Sequence, residues 1–435
     1  MNGRRFGIGV VACALSCLAV VCPADAASGF KRVWERRFRF DNEIELGADR
    51  FVPAAHYSAT VVSLPAEMRL VTDVGIVARF GAPEDMKPPY RMHLAVTGAH
   101  KPSVFTEKDG ELKLAKIVEW PEGFDPQRRE NLERVRFSGT EGLRDRKVAL
   151  SAGIGQADVR FVTSGRENRP YFENGRAFFT FSARAYGSYL GVMSFDPSRL
   201  DFRLEGVILF DYGDGLLRND VAADLFYDDV AGEWRAYVSN FSTAGDSLKG
   251  RAPGGVNVAW SKDCPLRGLS VMRARSLGLP NMNEDPDGFW DARAKKWRLL
   301  VSEFMSQGIR AAMFESENWD GPFVRLAGPV GVDSTGTTIA WLDGKPHALF
   351  GSATRRFCVR DYPMLTGDGE LPVSDPPWNP ATSMNGRVWP ALLDCPDGTR
   401  CLLTFDRVNF PGMPRPNWTY GKLILYRETA DVEML

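Results

Sequence analysis

The chain has 435 residues, of which 44% are hydrophobic and 25% are charged, and its formal net charge is −1. This length is enough for one large or two ordinary domains, and the composition is typical of a soluble globular protein. A near-neutral charge without basic or acidic blocks gives no electrostatic support to nucleic-acid binding or to attachment at an anionic membrane.

The N-terminal segment, residues 1–26, has the form of a secretion signal. A charged segment, MNGRR, precedes the apolar segment FGIGVVACALSCLAVVC, and PADAA offers a cleavage site after Ala26. The apolar segment is short for a membrane span, and no later stretch resembles one. We therefore predict an exported protein, periplasmic or secreted, without an integral membrane span. A retained membrane anchor and a lipid anchor at Cys17 or Cys22 are the alternatives.

Residues 27–157 are predicted to form a β-rich region that packs on the domain formed by residues 158–435. FKRVWERRFRF could supply an outer strand that pairs with the last strands of the chain. RLVTDVGIVARFG, YRMHLAVTG and SVFTEKDGELKL read as three further strands.

The rest of the chain repeats one pattern, in which an apolar strand ends in an acidic residue and a turn leads to a second apolar strand. The pattern occurs in FENGRAFFTFSAR, FYDDVAGEWRAYVSNF, FWDARAKKWRLLVSEF, WLDGKPHALFGSA and LLDCPDGTRCLLTFD. These segments are typical of β-hairpins. Asp224 and Asp287 occupy the same position in two consecutive units, and the interval between them gives the approximate period of the repeat.

Five hairpin units at such a period predict an all-β fold, a β-propeller that is most simply five-bladed. A six-bladed propeller that includes the N-terminal strands is one alternative, and a β-sandwich is the other. Cys395 and Cys401 flank the turn PDGTR of the last hairpin, where an oxidising compartment would permit a disulfide.

In a propeller the innermost strands of all blades begin around one central depression, which is the natural ligand site. The segments that lead into the five hairpins are RENRPYF (166–172), NDVAADLFYD (219–228), NEDPDGFWD (283–291), DSTGTTIAWLD (333–343) and NGRVWPALLD (385–394). Carboxylates for acid/base chemistry, arginines for hydroxyls or acidic groups, and aromatic faces for sugar rings are what a carbohydrate site needs.

The five hairpins resemble the five-bladed propeller glycoside hydrolases of families 43, 32 and 130, over about residues 158–428. In the family 43 pattern the third blade carries a general-acid glutamate in an E-G-P context. Glu284-Asp285-Pro286 is similar to that motif, with Asp in place of Gly, so the resemblance implies that Glu284 is the general acid. Asp285 and Asp287 would raise the pKa of Glu284 by repulsion between like charges.

The other two family 43 positions match less well. The first blade carries a base aspartate followed by proline, and Glu167 falls at this position as Glu without a following Pro. The second carries an aspartate that tunes the pKa, and here Ala222 is aligned, with Asp220 and Asp224 on either side. The resemblance therefore implies Glu167 as base or nucleophile and Asp220 or Asp224 as the tuning residue.

The substrate-binding candidates are further polar and aromatic residues near the starts of the five units. They are Asp285, Asp287, Arg169, Arg387, Trp389 and Asp333. Each also has a structural interpretation, as a turn cap, as an ion pair between blades or as part of the core.

The sequence thus predicts an exported enzyme that hydrolyses a glycosidic bond in an oligosaccharide or polysaccharide by carboxylate acid/base catalysis. No cofactor is predicted, although the central carboxylates could hold a structural Ca²⁺. A non-catalytic carbohydrate-binding propeller, a glycoside phosphorylase and a polysaccharide lyase are the alternatives.

Overall fold

The structure is a computed structural model that describes residues 29–166, 168–240, 255–377, 386–414 and 418–429. The predicted signal sequence, residues 1–26, and Glu167 lie outside these ranges. In the described ranges the only α-helix is α1 (Asn131–Arg134), and the remaining elements are β-strands. None of the described helical structure is long and apolar enough to cross a membrane.

Ten strands precede the repeated part of the chain. They are β1 (Gly29–Arg36), β2 (Glu43–Gly47), β3 (Ala54–Val61), β4 (Glu67–Thr72), β5 (Gly75–Gly81), β6 (Tyr90–Thr97), β7 (Ser103–Lys108), β8 (Glu111–Ile117), β9 (Arg136–Gly139) and β10 (Leu143–Ser151). Strands β2 to β10 form a six-stranded sheet, β2-β10-β3-β6-β7-β8, and a three-stranded sheet, β5-β4-β9. The two sheets enclose buried aromatic side chains such as Tyr57 and Phe137, whose ring centroids are 4.8 Å apart.

The repeated part begins at Gly155. Its strands are β11 (Gly155–Phe161), β12 (Thr163–Ser164), β13 (Arg169–Pro170), β14 (Phe172–Glu173), β15 (Arg176–Arg184), β16 (Ser188–Asp196), β17 (Asp201–Asp211), β18 (Leu217–Arg218), β19 (Val221–Asp228), β20 (Glu233–Ser239), β21 (Val256–Ser261), β22 (Gly268–Ser276), β23 (Asn283–Asp291), β24 (Lys296–Met305), β25 (Gly308–Ser316), β26 (Val324–Ala327), β27 (Thr335–Leu342), β28 (Lys345–Ser352), β29 (Arg356–Asp361), β30 (Thr366–Glu370), β31 (Ala391–Asp394), β32 (Arg400–Phe405) and β33 (Leu423–Thr429).

These strands form consecutive four-stranded antiparallel units. Unit I is β11-β15-β16-β17, unit II is β19-β20-β21-β22, unit III is β23-β24-β25-β26, unit IV is β27-β28-β29-β30, and unit V is β31-β32-β33-β1. Units I and II join through parallel pairing of their outer strands β17 and β22. The N-terminal strand β1 pairs with β33 at the outer edge of unit V, as the sequence predicts. The predicted all-β propeller class is confirmed, whereas the number of blades stays a prediction.

Unit I begins earlier than the sequence pattern indicates. The pattern predicts that RENRPYF leads into the first hairpin, but the inner strand is β11, GQADVRF, which pairs with β15. All residues of β11 are buried, so the strand lacks the alternation of polar and apolar residues that marks a half-exposed strand. Pro170 cannot donate to a strand ladder, and residues 169–173 contribute only the short strands β13 and β14.

The inner strands of units I to IV share one irregularity, a β-bulge whose central residue has a left-handed backbone. The central residues are Asp158 (φ 54°), Ala222 (φ 57°), Asp285 (φ 54°) and Gly336 (φ 63°). A bulge inserts one residue and re-aims the neighbouring side chains. The bulges align Glu284 and Asp285 with Val221 and Ala222, which is the alignment predicted from the sequence.

The turn of the last hairpin brings two cysteines together, as predicted. The Sγ atoms of Cys395 and Cys401 are 3.6 Å apart, and both side chains are buried. A disulfide between them stays a prediction.

The six-stranded N-terminal sheet contains a chain of buried titratable groups. His56 contacts Glu43 through Nδ1, and its Nε2 lies 2.8 Å from Nδ1 of His93, whose Nε2 lies 3.2 Å from Glu107. Phe40 stacks on both imidazole rings, with centroid distances of 3.9 and 5.2 Å. Burial lowers the pKa of His56 to about 4, although the bond to Glu43 opposes this shift.

We predict that this row of buried titratable groups makes the folded protein less stable in acid. The folded pKa of His56, about 4, lies below its ordinary value of 6.5, so the unfolded chain binds more protons between these two pH values. The stability that the neutral imidazole contributes is present above pH 6.5 and is lost as the pH falls towards 4, by at most about 1.4 kcal/mol per pH unit. Urea unfolding between pH 8 and 4 measures this slope.

The substitution His56→Gln should flatten the slope between pH 6.5 and 4, because glutamine does not titrate. Met305→Gln, at an exposed position in unit III, is the control and should keep the wild-type slope, because neither side chain titrates. An unchanged slope in His56→Gln would show that His56 is not the linked group.

Candidate active site

Glu284 lies at the beginning of the inner strand of unit III, directly before its bulge, and is only 6% exposed. Burial raises the pKa of its carboxyl well above the ordinary 4.5, and the negative charges of Asp285 and Asp158 raise it further. The positive charges of Arg407 and Arg387 oppose this shift. This shift favours the protonated form of Glu284, the form that a general acid must have before it donates.

The carboxylate beside Glu284 is that of Asp158, the central residue of the bulge in unit I. It is 9% exposed and forms an ion pair with Arg184 of β15. The two carboxyl groups thus differ in their surroundings, since one is ion-paired and the other lies among carboxylates.

Asp158 is not among the site residues predicted from the sequence, which placed the base at Glu167. The period of the repeat nevertheless indicates Asp158. The interval from Asp158 to Ala222 is nearly the same as the interval from Ala222 to Asp285. Extending this period backwards by one unit leads to Asp158.

Arginines and one tryptophan surround the two carboxyl groups. The guanidinium of Arg407 lies 3.4 Å from the ring centroid of Trp418, and that of Arg184 lies 6.0 Å from the same ring. Burial lowers the pKa of Arg407 to about 9. The negative charges of Asp158 and Glu284 oppose this shift, whereas the positive charges of Arg387 and Arg184 add to it. The site is therefore a buried cluster of opposite charges beside one aromatic face.

Two predicted site residues, Arg387 and Asp333, form an ion pair at the edge of this cluster. Arg387 Nε donates to Asp333 Oδ2 over 2.8 Å, and the backbone N–H of Ala353 donates to the same oxygen over 3.0 Å. Since the charge of Arg387 acts on Glu284, the pair belongs to the surroundings of the acid.

Asp285 links two neighbouring units. Its Oδ2 accepts a hydrogen bond from Thr335 Oγ1 at 2.6 Å and another from the backbone N–H of Gly336 at 2.7 Å. Its own N–H donates to Ser239 Oγ of unit II over 2.8 Å. Burial and the charge of Asp158 raise its pKa to about 6, and the two accepted bonds oppose this shift. These protein partners fix Asp285, so its contacts are structural rather than available to a substrate.

A second group of charged residues lies further along the inner strands, two residues after the central residue of each bulge. Arg160 forms a buried ion pair with Asp287, which also accepts from Thr338 Oγ1 at 2.7 Å. Asp224 accepts from the backbone N–H of Gly288 at 2.8 Å. Burial raises the pKa of Asp224 to about 8, the charge of Asp287 adds to the shift, and Arg160 opposes it.

Three predicted residues take other positions. Asp220 is fully buried and accepts from Tyr212 Oη at 2.7 Å. Trp389 is 3% exposed and packs in the core beneath Arg160, 5.1 Å from its guanidinium, which leaves no free ring face for a sugar. Arg169 lines a cavity at the other end of the inner strands. Glu167 lies outside the described residues.

The carboxylates in the described part of the chain do not fit the predicted Ca²⁺ site. Calcium takes six to eight oxygen ligands. Here Asp158, Asp287 and Asp333 each face an arginine, and Asp285 accepts from a hydroxyl and a backbone amide. No group of three or more His, Cys, Asp or Glu side chains among the described residues could hold a metal ion.

The N-terminal region supports the segment that carries Trp418. Phe105 of β7 lies edge-on to Phe410 with a centroid distance of 5.3 Å, and Phe410 lies 4.8 Å from Tyr420. The hydroxyl of Thr419 accepts from the N–H of Phe410 at 2.9 Å. The position of the tryptophan therefore depends on packing between the two parts of the chain.

Comparison with known proteins finds likeness only at the level of structure. No family model matches the chain, and no curated protein matches it. Solved structures similar to it include a family 117 glycoside hydrolase from Zobellia galactanivorans, with 11% identity, a TM-score of 0.42, and coverage of 65% of this chain and 86% of that chain. Another is an α-L-arabinofuranosidase from Podospora anserina, with 11% identity, a TM-score of 0.41, and coverage of 64% and 92%. The resemblance to propeller glycoside hydrolases of the family 43 type is thus confirmed as a structural likeness.

We predict that Asp285→Ala destabilises the fold, because it leaves the buried donors of Thr335 and Gly336 unsatisfied and puts a non-glycine residue without a side-chain acceptor in a left-handed conformation. The expected loss is about 3 kcal/mol in the free energy of unfolding. Asp285→Asn is the matched control, since one amide oxygen can accept both bonds and Asn tolerates this backbone. Equal losses in urea unfolding would contradict the proposed link.

Proposed function

We propose that the protein hydrolyses a glycosidic bond, with Glu284 as the general acid and Asp158 as the carboxylate that activates water or attacks the sugar. The observation that carries the proposal is the pairing of a buried glutamic acid, whose pKa is raised, with an ion-paired aspartate at the bulges of units III and I. Glycoside hydrolysis needs two carboxyl groups in opposite protonation states on either side of the bond.

The surroundings of the pair fit a sugar substrate. Trp418 offers an aromatic ring, stacked on Arg407, next to the carboxyl groups, and aromatic faces bind the apolar faces of sugar rings. Arg387 and Asp333, held together by their ion pair, supply a fixed set of polar atoms close to the acid. Binding energy from such groups orients the bond between the acid and the base.

Two further parts of the proposal come from the sequence. The signal-like segment at the N-terminus supports export, and an exported enzyme of this kind would act on oligosaccharides or polysaccharides outside the cytoplasm. The weak match at Glu167 would fit a non-catalytic propeller, whereas the position of Asp158 supports catalysis. Arg356 of β29 forms an ion pair with Glu370 at 2.6 Å, so this arginine gives no support to the basic phosphate pocket that a phosphorylase would need.

The first test is the loss of activity in Glu284→Gln and Asp158→Asn. Each should lower kcat by about 10²- to 10⁴-fold against oligosaccharides of arabinan, xylan, galactan or fructan, because each removes one proton-transfer group. Glu317→Gln, a surface carboxyl that is 78% exposed, is the control and should keep wild-type activity. Unchanged turnover in both site variants would refute the assignment. Loss in Glu284→Gln alone would refute the role of Asp158.

The second test uses the pH profile of kcat/KM. A general acid must be protonated, so activity falls as the pH rises through the pKa of Glu284, and the raised pKa places this fall above its ordinary range. Asp285→Asn removes one of the two negative charges that raise this pKa, so its alkaline limb should shift to lower pH. Glu317→Gln, at a side chain that is 78% exposed, is the control and should leave the limb unchanged. An unshifted limb in Asp285→Asn would show that another group is the acid.

A further inference from the structure

A large cavity lies at the end of the inner strands opposite to Glu284. Its volume is about 1480 Å³, and its lining includes Trp290 and Asp291 at the end of β23. Glu284 and Trp290 are six residues apart on that strand, which corresponds to roughly 20 Å. The cavity is therefore separate from the candidate active site.

The cavity is lined by aromatic side chains at one repeated position. Tyr227, Trp290 and Trp341 each lie three residues after the aligned positions Asp224, Asp287 and Thr338 that follow the bulges. The three rings therefore come from the same place in units II, III and IV, next to one another around the ring.

Of these rings, Trp341 is the most available. It is 42% exposed, whereas Trp290 is half-buried and lies 5.6 Å from Trp297 and 5.0 Å from the guanidinium of Arg166.

Polar groups at the same cavity are already held in place. Asp291 accepts from Tyr362 Oη at 2.9 Å and from the backbone N–H groups of Arg293 and Ala294 at 3.0 Å each. The Nδ1 atom of His347, another lining residue, is buried and has no hydrogen-bond partner in the described part of the chain. Fixed carboxylates next to flat aromatic surfaces suit a ligand with many hydroxyls and apolar ring faces.

We propose that this cavity is a second, non-catalytic carbohydrate-binding site that holds a neutral oligosaccharide segment against Tyr227, Trp290 and Trp341. The lining has no excess charge of one sign that would favour an anionic ligand. Its acidic residues are Asp229, Asp291, Asp361 and Asp394, and its basic residues are Arg166, Arg169, Arg293 and Lys345. The volume exceeds what a single sugar ring needs, so several sugar units would be bound. A polysaccharide would thus be anchored at one end of the ring while the other end acts on it.

The test is binding of the full chain to soluble arabinoxylan, arabinan, galactan and mixed-linkage β-glucan by affinity electrophoresis. Xylohexaose, arabinohexaose and cellohexaose then serve as titrants in calorimetry. All variants carry Glu284→Gln and Asp158→Asn so that the ligands stay intact. Adding Trp341→Ala should weaken binding by at least about tenfold, because one stacking face is lost. Trp341→Tyr should restore part of it.

Met305→Ala is the matched control, since Met305 is 43% exposed and does not line the cavity, and it should bind as the background does. Unchanged affinity in Trp341→Ala, or no binding of the background to any of these carbohydrates, would overturn the proposal. The proposal does not rest on hydrolysis. Active Glu284→Gln and Asp158→Asn variants would refute the catalytic assignment, whereas only the Trp341 variants decide on this cavity.

Discussion

The buried ion pair between Arg160 and Asp287 is the interaction on which the centre of the structure depends. It joins the inner strands of units I and III, and Arg160 Nη2 also donates to the carbonyl of Thr337 in unit IV over 2.7 Å. The same guanidinium lies over Trp389, which leads into unit V. The side chains of Arg160 and Asp287 are only 4% and 8% exposed, so neither charge could remain without the other. Removing one partner of a buried pair of this kind costs about 3–5 kcal/mol.

The bulge that is repeated in units I to IV determines which side chains lie near one another at the inner ends of the strands. In a regular strand successive side chains point to opposite faces of the sheet. The extra residue in the left-handed conformation changes that alternation at the same level in units I to IV. As a result, residues from distant parts of the sequence act on one another near the inner ends of the strands. Unit III differs from the others at this level through Glu284, because the counterparts of this residue are Ala157, Val221 and Thr335.

Much of this arrangement could be predicted from the sequence, because hairpin turns and their acidic ends are local signals. The hairpins, the closing strand β1 and the alignment of Glu284 with Val221 follow from such patterns. The start of unit I could not be predicted in this way. Its inner strand, β11, is buried on both faces, so polar and apolar residues do not alternate along it. The polar segment RENRPYF, which precedes the first hairpin, has the pattern expected of such a strand. This shift by one strand is why the sequence pattern does not indicate Asp158 at the start of unit I.

The positions of the arginines were equally hard to predict, since ion pairs between units join residues that share no sequence pattern. Arg184, Arg407 and Trp418 gave no sequence signal, although they define the surroundings of both carboxyl groups. They also make the surroundings of the two carboxyl groups different. Asp158 has Arg184 as a direct partner, whereas Glu284 is buried and is acted on by the charges of Asp158 and Asp285.

Burying Glu284 costs least when the group is neutral, because an unpaired buried charge is strongly unfavourable. The protonated form of Glu284 is thus the form that the fold prefers. Asp285 has two effects at once, since its bonds to Thr335 and Gly336 hold units III and IV together while its charge helps to raise the pKa of Glu284. The link between these units and the raised pKa of Glu284 therefore have the same physical origin, the placement of carboxylates where only some of them have a cationic partner.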